Sequence, residues 1–181
     1  MEPEERTVYM LETAYLKEGL ELWAPVERVA EALLPWARAY EARLILPRRD
    51  TAPAERAGPL PEDVGERQAL LRQVLAWIRE SSECSDCFVL RLLGREEGEQ
   101  PLFEFHDLPH DWSLFLTAHQ WEAVQAALRE AGLPDDLFFE ADRMRCVPWP
   151  GTRWRDRLLR RLGVQRCFTP REWRKQFGEE E

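Results

Sequence analysis

Residues 88–93, Phe-Val-Leu-Arg-Leu-Leu, and residues 102–105, Leu-Phe-Glu-Phe, flank the polar segment Gly94-Arg95-Glu96-Glu97-Gly98-Glu99-Gln100. Two short apolar runs separated by a glycine-bearing polar segment are the signature of an antiparallel hairpin. Centred between Glu97 and Gly98, the hairpin sets Leu90 opposite Phe105, Leu92 opposite Phe103 and Arg91 opposite Glu104. One face is then apolar and the other charge-paired. A slip of one residue would exchange the two faces, so the register is strongly specified, and the apolar face needs a covering layer.

The rest of the chain supplies that layer. Residues 8–16 mix Tyr, Val, Met and Thr without helical spacing and read as a strand that ends near Lys17-Glu18-Gly19. From Pro25, suited to a first helical position, Val26, Val29, Ala30, Leu33, Ala37 and Tyr40 step at threes and fours along one face. Pro35 interrupts the stripe and predicts a kink or two abutting helices. Residues 44–46 suit a short buried strand, and residues 48–66, rich in proline, read as a loop. A helix over 63–82 carries Leu71, Val74, Leu75 and Ile78. Thr117 with Gln120 forms a capping-box pattern before a helix whose Trp121, Val124, Leu128 and Ala131 share a face and which Gly132 stops. Residues 135–147 fit either a strand or a helical turn. After Pro148-Trp149-Pro150-Gly151, Thr152 is placed to cap a short helix to Leu162, and Thr169-Pro170-Arg171-Glu172 begins another. These elements predict an α+β fold: a small, mostly antiparallel sheet containing the hairpin at about 88–106, helices packed on one face, and a helical basic C-terminus.

Charge divides the chain by position. Residues 1–142 hold 29 Asp and Glu against 14 Arg and Lys, whereas residues 143–178 hold 11 basic residues against 2 acidic ones. The expected organisation is an acidic body at 1–147, with the Pro-rich loop at 48–66, and a basic helical segment at 148–181 packed on it or appended to it. Lys17 and Lys175 are the only lysines among 25 basic residues. A GC-rich coding sequence is the ordinary cause. Guanidinium groups nevertheless pair bidentately with carboxylate or phosphate and stack on rings.

On the helix after Thr152, Trp154, Leu158 and Leu162 cluster on one side while Arg153, Arg157, Arg160 and Arg161 fall on the other. The last helix repeats this with Trp173 and Phe177 against Arg171, Arg174 and Lys175. The expectation is that the tryptophans hold the segment down and the basic groups point away. Two helices joined by residues 163–168 would form a helical hairpin or a relative of the helix-turn-helix, able to set arginines against phosphate. The resulting function is a non-enzymatic binding protein whose C-terminal helices engage an anionic partner, nucleic acid ahead of an acidic protein. A sequence pI near 5.0 works against binding a polyanion unless the tail faces it. The ordinary alternative for the same arginines is a solvated face, or pairing with the acidic body.

Cysteine and histidine raise a second reading. The spacing Cys84-x2-Cys87-x18-His106-x3-His110 provides two ligand pairs for a zinc ion, and the hairpin register brings Cys87 near His106. Cys146 and Cys167 offer another ligand set with Cys84 and Cys87; otherwise the four thiols are expected reduced, an internal disulfide being a thermophile's exception. A zinc-stabilised protein–protein interaction module follows as the alternative function. His106-Asp107 and His110-Asp111 also permit a metal-dependent hydrolase, although an ordinary polar loop explains them. No Gly-x-Ser-x-Gly turn, phosphate-cradling loop or dinucleotide fingerprint is present. Without an apolar run of signal-peptide or membrane-span length, the expectation is a cytoplasmic protein with no membrane partner.

Overall fold

A computed structural model describes residues 5–21, 23–45, 54–82, 87–94, 101–106, 112–149 and 153–178. The chain adopts the expected α+β architecture. Strands β1 (Thr7–Leu11), β2 (Ala39–Ile45), β3 (Ala54–Pro59), β4 (Cys87–Leu93), β5 (Phe103–His106), β6 (Ser113–Leu116) and β7 (Phe138–Glu140) form an antiparallel sheet in the order β3-β2-β4-β5-β6-β1-β7. Helices α1 (Ala14–Lys17), α2 (Trp23–Leu33), α3 (Val64–Ser82) and α4 (Ala118–Glu130) lie between these strands in the sequence.

The hairpin pairs as its alternation requires: Leu90 faces Phe105, Arg91 faces Glu104 and Leu92 faces Phe103. Leu90, Leu92, Phe103 and Phe105 are fully buried with Leu114, Leu116, Ala42 and Leu44 from neighbouring strands. Val26, Val29, Ala30 and Leu33 of α2, Leu71, Val74 and Ile78 of α3, and Val124 and Leu128 of α4 close this core from one side. Trp112 is buried edge-on to Phe105, and its indole N–H donates to the His106 carbonyl at 2.8 Å. The opposite face stays polar, with Arg91 between Glu41 (3.5 Å) and Glu104 (3.1 Å).

Several elements differ from expectation. Residues 8–16 divide into β1 and the one-turn α1 rather than a single strand. Pro25 sits inside the first turn of α2, where no backbone N–H is required of it. Pro35 ends α2 instead of kinking it: Trp36 and Ala37 each donate to the Leu33 carbonyl in a closing turn, and Tyr40 enters β2. The segment 48–66 is not all loop, because β3 pairs with β2 from Ala39 opposite Pro59 to Leu44 opposite Ala54. Its sequence, Ala-Glu-Arg-Ala-Gly-Pro, lacks β-branched residues, and as an edge strand it is held by backbone pairing and the Arg43–Glu55 ion pair at 2.6 Å. Buried Arg67 donates to the carbonyls of Leu34 (3.0 Å), Ala37 (3.3 Å) and Pro61, placing a cation at the C-terminal end of α2.

The C-terminal region corrects the helical-hairpin reading. Strands β8 (Arg145–Pro148) and β9 (Gln165–Phe168) form a two-stranded antiparallel ribbon that spans the 147/148 position. Helix α5 (Trp154–Arg161) lies in the excursion between them, and α6 (Pro170–Phe177) follows β9. A strand therefore stands between the two helices. Cys146 and Cys167 face one another in this ribbon and form a disulfide, so neither is a reduced thiol or a free metal ligand.

Candidate partner-binding surface

Helix α6 is tied to the acidic body by its first turn. Thr169 forms the expected capping box with Glu172. Its hydroxyl also donates to Glu12 Oε1, while the Arg171 backbone N–H donates to Glu12 Oε2 at 3.0 Å and the Ala14 N–H to Oε1 at 3.3 Å. Glu12 is 2% exposed, so a buried carboxylate is satisfied by the N-terminus of α6. Around it, Arg171 and Lys175 both pair with Glu18, Lys17 pairs with Glu172, and Arg174 Nη2 lies 3.7 Å from Asp136 Oδ2. The Lys175 hydrogen bond and the Arg171 charge hold the Glu18 carboxyl below its ordinary range. Arg171 also stacks over Tyr15, 4.0 Å from the ring centroid. Burial and the hydrogen bond to Asp136 push the Tyr15 hydroxyl up to about 12, leaving it a committed donor. Phe168, Trp173 and Phe177 form a small aromatic cluster behind these contacts.

Helix α5 is built the other way. Thr152 lies outside the described residues. At the helix start, Asp156 accepts from the Arg153 backbone N–H at 3.1 Å and from the Trp149 indole N–H at 3.2 Å. Arg160 Nε donates to the Trp149 carbonyl at 3.3 Å. These bonds tie α5 to Trp149 at the end of β8, and Leu159 is half-buried. The predicted packing side faces outward instead: Trp154 is 73%, Leu158 47% and Leu162 69% exposed. Periodicity identifies this stripe but not which side the ribbon covers. At ~100° per residue Arg155 borders the stripe on one edge, and Arg157 and Arg161, instead of lying on the opposite side as expected, border it on the other, all three exposed.

Of the basic candidates, Arg171, Arg174 and Lys175 therefore face the acidic body, whereas Arg153, Arg157 and Arg161 lie exposed on or beside α5 with Arg160. Arg155, absent from the sequence-based set, belongs with the second group; its place next to Trp154 was the available signal. Nothing local marked Glu12 as the anchor of α6.

No known protein family, curated protein or solved structure matches this chain. Its function is accordingly read from the geometry.

For the metal reading, Cys84 and His110 lie outside the described residues, and so do Asp107 and Asp111. Cys87 begins β4, its backbone paired with Ile45. His106 lies on the charged face of β5 with Nε2 2.6 Å from Glu104 Oε1. Burial would raise the Glu104 carboxyl, but hydrogen bonds from Arg91 and His106 outweigh it and hold the group low. Among the described residues, no three or more Cys, His, Asp or Glu side chains gather as a metal site would require. No helix among them is long and apolar enough to cross a membrane.

Proposed function

We propose that this chain is a non-enzymatic, cytoplasmic binding protein that engages an anionic partner through α5. The observation that carries this reading is the outward Trp154-Leu158-Leu162 stripe with arginines along both edges. Single exposed apolar residues are ordinary, but a contiguous row on one helix marks an interaction surface. The i, i+4, i+8 spacing is that of a helix laid into an apolar groove, and the guanidinium border selects a groove with an acidic rim.

This arrangement favours an acidic protein over nucleic acid. Phosphates account for the arginines, and a base could stack on Trp154, yet neither covers Leu158 and Leu162. An apolar groove with carboxylates at its edges uses every exposed group.

The test is capture of a partner on the immobilised full chain, followed by titration of that purified partner against wild type and variants. Trp154→Ala should weaken binding roughly 30-fold, as loss of a central aromatic anchor does. Arg157→Ala with Arg161→Ala should mainly slow association and flatten its salt dependence. A single-stranded oligonucleotide titrated in parallel should bind weakly. Oligonucleotide binding that is tight, lost with the arginines and indifferent to Leu158→Ala would replace the protein reading with nucleic acid.

A further inference from the structure

A separate cleft of about 440 Å³ opens between α6, β8 and the single 3₁₀ turn Ala141–Arg143 that precedes it. Arg143, Arg145 and Arg174 line it together with Pro170, Trp173 and Gly178, and Asp142 is the one carboxylate among the described lining residues. Three different elements thus deliver three guanidinium groups to one concavity. Two of them are held in place: Arg145 stacks over Trp173, 5.1 Å from the ring centroid, and Arg174 is drawn toward Asp136. Arg143 has no hydrogen bond or ion pair among the described residues. The Trp173 indole nitrogen is buried and likewise has no hydrogen-bond partner there.

Among the described lining residues, the side-chain polar groups other than Asp142 are all donors. A complementary ligand must therefore bring negative charge and several acceptor oxygens at once. A phosphate monoester has both, with three terminal oxygens and up to two charges, and guanidinium forks match its geometry. The cleft is larger than a phosphate and lies within the ~300–1,000 Å³ of ordinary small-molecule sites, leaving room for the group that the phosphate esterifies. We propose that this cleft is a binding site for a phosphate monoester, held by Arg143, Arg145 and Arg174. The proposal is independent of the partner surface on α5.

Calorimetric titration of the full chain at low salt, with inorganic phosphate as the first probe, tests it. Saturable one-to-one binding is expected, with Arg143→Ala weakening it about tenfold, the scale of one charge-assisted contact. With a phosphate monoester as the probe, affinity should rise from pH 5 to 7.5 as its second proton, with a pKa of about 6, is lost. Unchanged circular dichroism of the Arg143→Ala variant separates loss of the site from loss of fold.

A sugar phosphate that binds more tightly than inorganic phosphate would identify a metabolite as the source. A short oligonucleotide that binds only when 5′-phosphorylated, and only with Arg143 present, would identify a nucleic-acid end. Equal affinity of wild type and Arg143→Ala, or no saturable binding of any phosphate probe, would overturn the site. Substituting Arg155, Arg157 and Arg161 should leave phosphate binding intact, so this proposal and the α5 reading fail separately.

Discussion

Helices α5 and α6 are each eight residues long, arginine-rich and amphipathic, yet they use their faces in opposite ways. α6 turns its basic groups to Glu18 and Asp136 and seats its first turn on buried Glu12. α5 fastens to the ribbon through Asp156 and leaves Trp154, Leu158 and Leu162 in solvent. A basic C-terminus is thus two devices, one that holds the chain together and one that is presented. Net charge by segment does not distinguish them, because the deciding partners are single carboxylates, Glu12 for one helix and Asp156 for the other.

The largest expected effect falls on the ribbon that supports both helices. Cys146 and Cys167 are 21 residues apart, and opening a loop of that size costs about 3 kcal/mol in the chain-entropy account. Cys146→Ser with Cys167→Ser, or reduction by a dithiol, should speed tryptic cleavage within α5 while the core helices stay protected. Equal cleavage rates would mean that the ribbon does not hold α5.

Next is the anchor of α6. Glu12→Gln places an amide N–H₂ either against the Arg171 backbone N–H or against the Thr169 hydroxyl and the Ala14 N–H, and should cost about 2 kcal/mol in urea unfolding. Thr169→Ala removes both the cap and the donor to Glu12 and should cost about 1–2 kcal/mol.

A smaller effect comes from pH. The folded-state pKa of Glu18 is lowered, so its contribution is complete above the ordinary carboxylate pKa of 4.5 and declines as pH falls through the lowered value. Hydrogen exchange of α6 amides should quicken in that acid range, and Glu18→Gln should flatten the dependence. On α5, Arg157→Ala and Arg161→Ala should change unfolding free energy by less than about 0.5 kcal/mol.

Much of the body is legible before the structure, for a physical reason. In the hairpin, alternating Leu and Phe against Arg and Glu leave one register that buries the apolar set, and the pairs Leu90–Phe105 and Arg91–Glu104 follow. Local capping chemistry likewise marks Thr117 with Gln120 and Thr169 with Glu172. Strand β3 escapes because its pairing uses backbone groups that no side chain announces. The ribbon escapes because β8 and β9 have four residues each and are joined across a helix. For α5 the period is readable and the direction is not: a stripe of Trp and Leu looks the same whether the protein or its partner covers it. Arg67 shows the converse, a charge in a polar stretch that is buried because three carbonyls need donors.

The contrast between the two helices is tested most directly by parallel unfolding of Trp154→Ser with Leu158→Ser and of Trp173→Ala, by denaturant titration with amide exchange across residues 145–178. Exposed groups should be replaced with a change of less than about 0.5 kcal/mol, whereas loss of Trp173 from its aromatic cluster should cost about 2–3 kcal/mol and expose α6 to exchange. A loss of several kcal/mol from the α5 double substitution, with little change at Trp173, would contradict the account, because it would make α5 the packed helix and α6 the presented one.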